Sequence, residues 1–232
     1  MIRDSESRVA TGIPGLDQIL RGGWLPRRAY VVSGGLGAGK TTLGMHFLSA
    51  GAARGERRLL VSFDETEQQA RADAETLGLD LNDVGFLDLT PQAEAFREAQ
   101  VYDLFSPAEV EKDPITSRIS ERIEDAKAQR IFIDGFSQFG HLANDGFHLR
   151  RLVQSCFRFA SDRGATMLVS CDGVDRKRDR EIQAAADGVL VLEAAGILRQ
   201  VRVTKFRGSN CEPGWHAMRL TDAGMVVFPT AA

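Results

Sequence analysis

The chain has 232 residues, the length of one domain, with 43% hydrophobic residues, enough to bury a full core, and a formal net charge of -3. That balance gives no global pull toward nucleic acid or an anionic membrane, and no apolar run approaches the roughly 18 residues of a membrane span. The first eight residues lack the apolar core of a signal peptide, and Cys156, Cys171 and Cys211, with His46, His141, His148 and His216, are too scattered for a metal site, so a cytoplasmic protein with reduced thiols is expected.

Thr11 to Pro26, T-G-I-P-G-L-D-Q-I-L-R-G-G-W-L-P, spaces Ile13, Leu16, Ile19 and Leu20 as a short helix closed by Gly22-Gly23 and Pro26. Ala29 to Ser33 is a short apolar strand. Gly34 to Thr41, G-G-L-G-A-G-K-T, follows it and fits the pattern G-x-x-x-x-G-K-[ST]. Thr41 to Ala53 then places Leu43, Phe47 and Ala50 on one helical face, with Leu48 beside them and Gly55 at the C-terminus. Strand, glycine loop and helix form the context this phosphate-binding motif requires. Gly34, Gly35, Leu36, Gly37, Ala38 and Gly39 would turn backbone N–H groups around a β-phosphate at the positive end of the helix. Lys40 would reach the β- and γ-phosphates, the Thr41 hydroxyl would ligate Mg²⁺, and Thr42 belongs to the same nucleotide site.

Leu59 to Phe63 is the second strand and ends in Asp64-Glu65. Thr66 and Gln69 resemble a capping box, Ala70, Ala74 and Leu77 give a helix face, and Gly78 closes it. Gly85 to Leu89 is a further strand. Residues 90–114, interrupted by Pro91, Pro107 and Pro114, read as a loop with at most one short helix. Pro114 opens a helix carrying Ile115, Ile119, Ile123 and Ala126 on one side. Arg130 to Asp134 is an apolar strand ending in an aspartate. Leu149, Leu152, Val153, Cys156, Phe157 and Ala160 make the clearest amphipathic helix, ended by Gly164, and Thr166 to Cys171 is the next strand. Strands alternating with helices from residue 29 to 171 call for an α/β fold, a mainly parallel sheet with helices on both faces. Beyond that, Gly188 to Leu192 and Leu198 to Phe206 flank Ala195-Gly196, and Trp215 to Leu220 and Met225 to Phe228 flank Asp222-Ala223-Gly224. These two hairpins would extend the sheet with C-terminal antiparallel strands.

A P-loop needs an acidic partner for Mg²⁺ at a strand end, and Asp134 is the candidate, on a strand expected to lie beside the P-loop strand. Hydrolysis needs a carboxylate to deprotonate water; Asp64 and Glu65 end the second strand, on the edge where such sheets place ligands. Neighbouring strand residues point opposite ways, so one of the pair would face the phosphate, and which one stays open. The competing reading is that both merely favour the following helix N-terminus. Lys205 and Arg207 share one strand face while Phe206 points into the core; on these residues alone, a solvated basic edge is the better reading. Arg176 to Arg180 is diluted by Asp172, Asp175, Asp179 and Glu181 and carries no aromatic residue, so it reads as a solvated loop and argues against a nucleic-acid partner. For recognition of the base only Thr76 and Ser209 are candidates.

Together these stretches resemble the KaiC branch of the RecA-like ATPases, over residues 8–229 as one domain, 1–232. T-G-I-P-G-L-D-Q-I-L-R-G-G resembles that family's lead-in, S-F-D-E-T its paired catalytic acids, I-F-I-D its Walker B strand, K-F-R-G-S its Lys-x-Arg-Gly motif and D-A-G-M-V-V-F-P the end of its module. The resemblance implies ATP and Mg²⁺ as cofactors, slow hydrolysis, and a homo-oligomeric ring, a hexamer, with ATP between subunits and an unidentified protein partner. It reverses the weighting of Lys205 and Arg207, which become groups acting on the neighbour's nucleotide, and it leaves Ser209 in the nucleotide site. Asp64 stands where the clock proteins have glutamate, Trp24 is an added residue, and Glu181 to Asp187 carries no hydroxyl to autophosphorylate. A RecA/RadA-type recombination or repair factor and a non-hydrolysing nucleotide-binding scaffold are the alternatives.

Overall fold

A strand buried along its whole length must be covered on both faces. In the computed structural model, which describes residues 8–91, 112–143, 145–196 and 198–230, this is the condition of β1 (Ala29–Gly34), β2 (Arg58–Ser62), β4 (Arg130–Asp134) and β5 (Thr166–Cys171). With β3 (Val84–Asp88), β6 (Gly188–Ala195), β7 (Leu198–Phe206), β8 (His216–Thr221) and β9 (Gly224–Phe228) they form a nine-stranded sheet. Its order is β3-β2-β4-β5-β1-β6-β7-β8-β9. The first six of these pair in parallel and the last three join antiparallel. The fold is thus α/β with a mostly parallel sheet and C-terminal antiparallel strands, as read from the residues. One placement differs: β4, with Asp134, does not lie beside β1, because β5 is paired between them.

Alternation along the buried strands sends successive side chains to opposite faces. On one face Tyr30, Val32, Leu60, Phe132, Leu168 and Leu190 pack against α1 (Pro14–Ile19), α2 (Lys40–Ala52) and α3 (Glu67–Thr76). On the other, Val31, Val61, Ile133 and Val169 meet α4 (Lys112–Ala126), α5 (Gly146–Asp162) and α6 (Arg176–Ala185). The capping box of α3 forms as its sequence indicates: Thr66 accepts from the Gln69 backbone N–H while the Gln69 side chain accepts from that of Thr66. The proline-interrupted stretch lies outside the described residues from 92 to 111; the helix read from Pro114 begins already at Lys112.

Two elements were not legible. A 3₁₀ segment, Phe136–Leu142, follows β4, with Phe136 stacked on Phe139. Arg176 to Arg180 is not a loop but the start of α6, because Asp175 caps it by accepting from the Lys177 and Arg178 backbone N–H groups. Trp24 is fully buried, 4.3 Å from the Tyr30 ring and 6.5 Å from Phe206, and its neighbour across an isolated bridge is Val9.

α2 lies unusually close to β4. A Cβ on Gly44 would meet the Phe132 ring at 2.1 Å, so only glycine permits this approach. That closeness brings the start of α2 over the end of β4, across the intervening β5.

Candidate nucleotide-binding site

β1 ends at Gly34 and α2 starts at Lys40. Between them Gly37 (φ 68°) and Gly39 (φ 98°) take left-handed conformations that L side chains avoid. The loop so formed ends on the N-terminus of a 13-residue helix, whose free N–H groups and dipole favour an anion. Lys40, only 9% exposed, folds back along the loop: its Nζ donates to the carbonyls of Gly34 (2.8 Å) and Gly35 (3.0 Å) and lies 3.4 Å from Asp172 Oδ1.

The next residue reaches the end of β4. Thr41 Oγ1 donates to Asp134 Oδ2 at 2.6 Å, and Asp134 is buried. The second oxygen of Asp134 accepts from the Ser170 hydroxyl and from the Gly135 N–H at 3.2 Å. The Ser170 oxygen in turn accepts from Gly135 N–H at 2.8 Å. This network fixes the carboxylate with one oxygen aimed at Thr41. The pair supplies hard oxygen donors of the kind Mg²⁺ prefers.

The two acids after β2 flank the same region differently. Asp64 is exposed and accepts from Gln138 Nε2 at 3.0 Å; a Cβ on Gly135 (φ 75°) would come within 2.6 Å of its Oδ2. Glu65 is half-buried, with its N–H donated to Ser62 Oγ at 2.9 Å, and it lines a groove with Thr41, Thr42, Met45, Asp73, Thr76 and Leu77. Both carboxyls are pushed up from their ordinary values, first by partial desolvation and then by the charge of Asp134. The groove brings Thr42 and Thr76 to Glu65 and the P-loop helix.

Lys205, Arg207 and Ser209 lie elsewhere. Gly188 pairs with Tyr30 on one side and Phe206 on the other, so this segment sits level with the start of β1. The P-loop leaves the end of β1 at Gly34, four residues on, or about 13 Å at ~3.3 Å per residue. Lys205 Nζ donates to the carbonyls of Gln183 (3.1 Å) and Ala184 (2.9 Å) at the end of α6, and its ammonium is pushed toward neutrality, chiefly by burial and then by Arg207. Arg207 is exposed. The Ser209 hydroxyl accepts from Arg8 at 2.7 Å and donates to the Asn210 carbonyl at 3.1 Å. None of the three reaches the P-loop of its own chain.

Four residues were not assigned to the site from the sequence: Ser170, Gln138, Ser137 and Asp172, the last read only as an acid diluting the nearby basic stretch. Asp172 carries a partial clue, its place directly after an apolar strand at the edge where such sheets bind ligands, but that this strand lies beside β1 is decided only by the tertiary structure. The other three carry no signal, because serine and glutamine occur in any turn.

A glycine loop between a parallel strand and a helix, with a buried strand-end aspartate bonded to its threonine, defines a P-loop nucleotide-binding protein, here on a RecA-like sheet. Among such proteins the chain belongs to the KaiC ATPase family, whose model matches residues 9–232. Membership implies ATP binding. The chain is 30% identical to a UPF0273 protein of Aeropyrum pernix, covering 96% of this chain and 94% of that protein. It is also 30% identical to a UPF0273 protein of Methanocaldococcus jannaschii, covering 96% of each. It is 27% identical to the circadian clock protein KaiC2 of Synechocystis over 94% of this chain but only 39% of that longer protein.

Proposed function

We propose that this chain hydrolyses ATP slowly, with Mg²⁺, at the interfaces of a cytoplasmic ring oligomer, and that its nucleotide state switches its hold on protein partners. The observation that carries the reading is the Thr41–Asp134 hydrogen bond beside Lys40, with Asp64 and Glu65 at the end of the next strand. Thr41 and Asp134 would hold Mg²⁺, which supplies charge neutralisation for the phosphates. Lys40 exchanges its backbone partners for phosphate oxygens. Glu65 or Asp64 takes a proton from the attacking water; the water oxygen bonds to the γ-phosphorus as the bond to the β–γ bridging oxygen breaks, leaving ADP and inorganic phosphate. The upward shift of both carboxyls makes either a stronger base at neutral pH.

The position of Lys205 and Arg207, remote from their own P-loop, fits a role on a neighbour's nucleotide and supports the ring. In that role Lys205 must first leave the α6 carbonyls. Relatives named as clock proteins support the switch. Among the described residues no helix is long and apolar enough to cross a membrane. The test is native mass measurement with and without Mg-ATP, read beside phosphate release. Hydrolysis by an assembled ring supports the reading; a monomer at every nucleotide state refutes the interface, and absent turnover leaves a nucleotide-binding scaffold.

A further inference from the structure

Asp172 occupies a position that the catalytic scheme above does not use. Its carboxylate lies 3.4 Å from Lys40 Nζ, the group that must receive the β- and γ-phosphates; the Lys40 side chain is only 10% exposed and that of Asp172 33%. Its charge is also felt at Asp64, where it adds to the upward push on that carboxyl. Asp172 therefore touches the phosphate lysine and adds negative charge in the region a terminal phosphate would enter.

The placement is enforced. The Asp172 N–H donates to Ser137 Oγ at 3.0 Å, and the Ser137 hydroxyl donates to Asp179 Oδ1 at 3.0 Å. Asp179 is only 2% exposed, and its other oxygen accepts from the Gly173 N–H at 2.8 Å. A buried carboxylate thus grips both the turn after β5 and the 3₁₀ segment after β4, and holds residue 172 at the lysine.

We propose that Asp172 is a specificity-determining residue that disfavours a nucleoside triphosphate relative to a diphosphate in the isolated site. The proposal rests on the nucleotide reading above. A diphosphate takes Lys40 from Asp172 through one phosphate. A triphosphate adds a further charged group in the space beside Asp172, where partial burial leaves like charges less screened than in bulk water. Lys40 is the cation facing Asp172 from α2; the charges that Asp64, Asp134 and Asp179 add nearby are of the same sign as its own. Tight triphosphate binding would then depend on cations arriving from outside this set.

The test is calorimetric titration of the full chain with Mg-ADP and with a non-hydrolysable Mg-ATP analogue. Asp172→Asn, which preserves shape and removes charge, should raise affinity for the triphosphate analogue about tenfold while ADP affinity moves less than about threefold. Asp172→Ala should act in the same direction, and Asp172→Glu should keep the wild-type ratio. An unchanged ratio in both neutral variants, or a loss of triphosphate affinity, overturns the proposal. If the wild-type chain binds neither nucleotide, the nucleotide reading itself fails and takes the proposal with it. Melting curves for each variant separate these results from misfolding.

Discussion

Thr41 Oγ1 lies 2.6 Å from Asp134 Oδ2 although an entire strand, β5, separates β4 from β1. The contact exists because α2 crosses the sheet rather than running above its own strand, and Gly44 lets it lie against Phe132.

Gly44→Ala is accordingly expected to lift α2 from β4. Overpacking of this kind costs ~1–3 kcal/mol. Chemical denaturation should show a lowered midpoint, and Mg²⁺-dependent nucleotide affinity should fall with it, since Thr41 would move relative to Asp134. A variant with wild-type stability would mean that Phe132 can turn aside freely.

Lys40→Ala removes the phosphate cation. At least a tenfold loss of ATP affinity is expected, about 1.4 kcal/mol or more. Thr41→Ala should instead weaken the dependence on Mg²⁺. Calorimetry with and without Mg²⁺ distinguishes the two, and unchanged ATP affinity for Lys40→Ala would remove the P-loop assignment.

Asp64 and Glu65 connect stability to chemistry. Both have folded-state pKa values raised, mainly by burial and then by Asp134. The proton is therefore bound more tightly in the folded protein, and the associated stability is complete below the unfolded value, ~4, and is lost as pH rises through the raised value. At neutral pH each ionised carboxylate opposes folding. Asp64→Asn and Glu65→Gln should both melt above the wild-type protein at pH 7, with the gain fading as the pH falls toward ~4. At least one should slow ATP turnover by ~10²-fold or more while leaving ATP binding nearly intact. Wild-type turnover in the double variant would place the base elsewhere.

Arg207 is tested by complementation. Lys40→Ala and Arg207→Ala subunits should each be nearly inactive alone. Mixed rings contain some interfaces with both halves intact, so part of the activity should return. An arginine acting on a neighbour's γ-phosphate contributes up to ~10³ or more in rate in well-studied NTPases, and a smaller factor is expected in a slow ATPase. Mixtures that form hybrid rings yet stay inactive would return Arg207 to a solvated charge at the sheet edge.

The local order of this protein was determined by its sequence. Apolar runs at Ala29 to Ser33, Arg130 to Asp134 and Thr166 to Cys171 became buried parallel strands, and Thr66 with Gln69 became a capping box, because these features depend on residues within a few positions of each other. The P-loop belongs to the same class: its glycines, lysine and threonine are contiguous. The strand order could not be read this way. Every buried parallel strand looks alike from its own residues, so β5 beside β1, and Asp134 one strand farther off, followed only from how the helices pack. Arg176 to Arg180 shows the same limit, since its charges describe a solvated stretch whether or not Asp175 caps it into a helix. Asp172 shows it most sharply. As one of several acids in that segment it merely diluted a positive charge; the burial of Asp179, through Ser137 and Gly173, is what brings it to Lys40. The bonds of Ser137 to Asp172 and Asp179 span 35 and 42 positions and leave no periodic trace along a chain, so only tertiary packing selects which of its many polar side chains will meet.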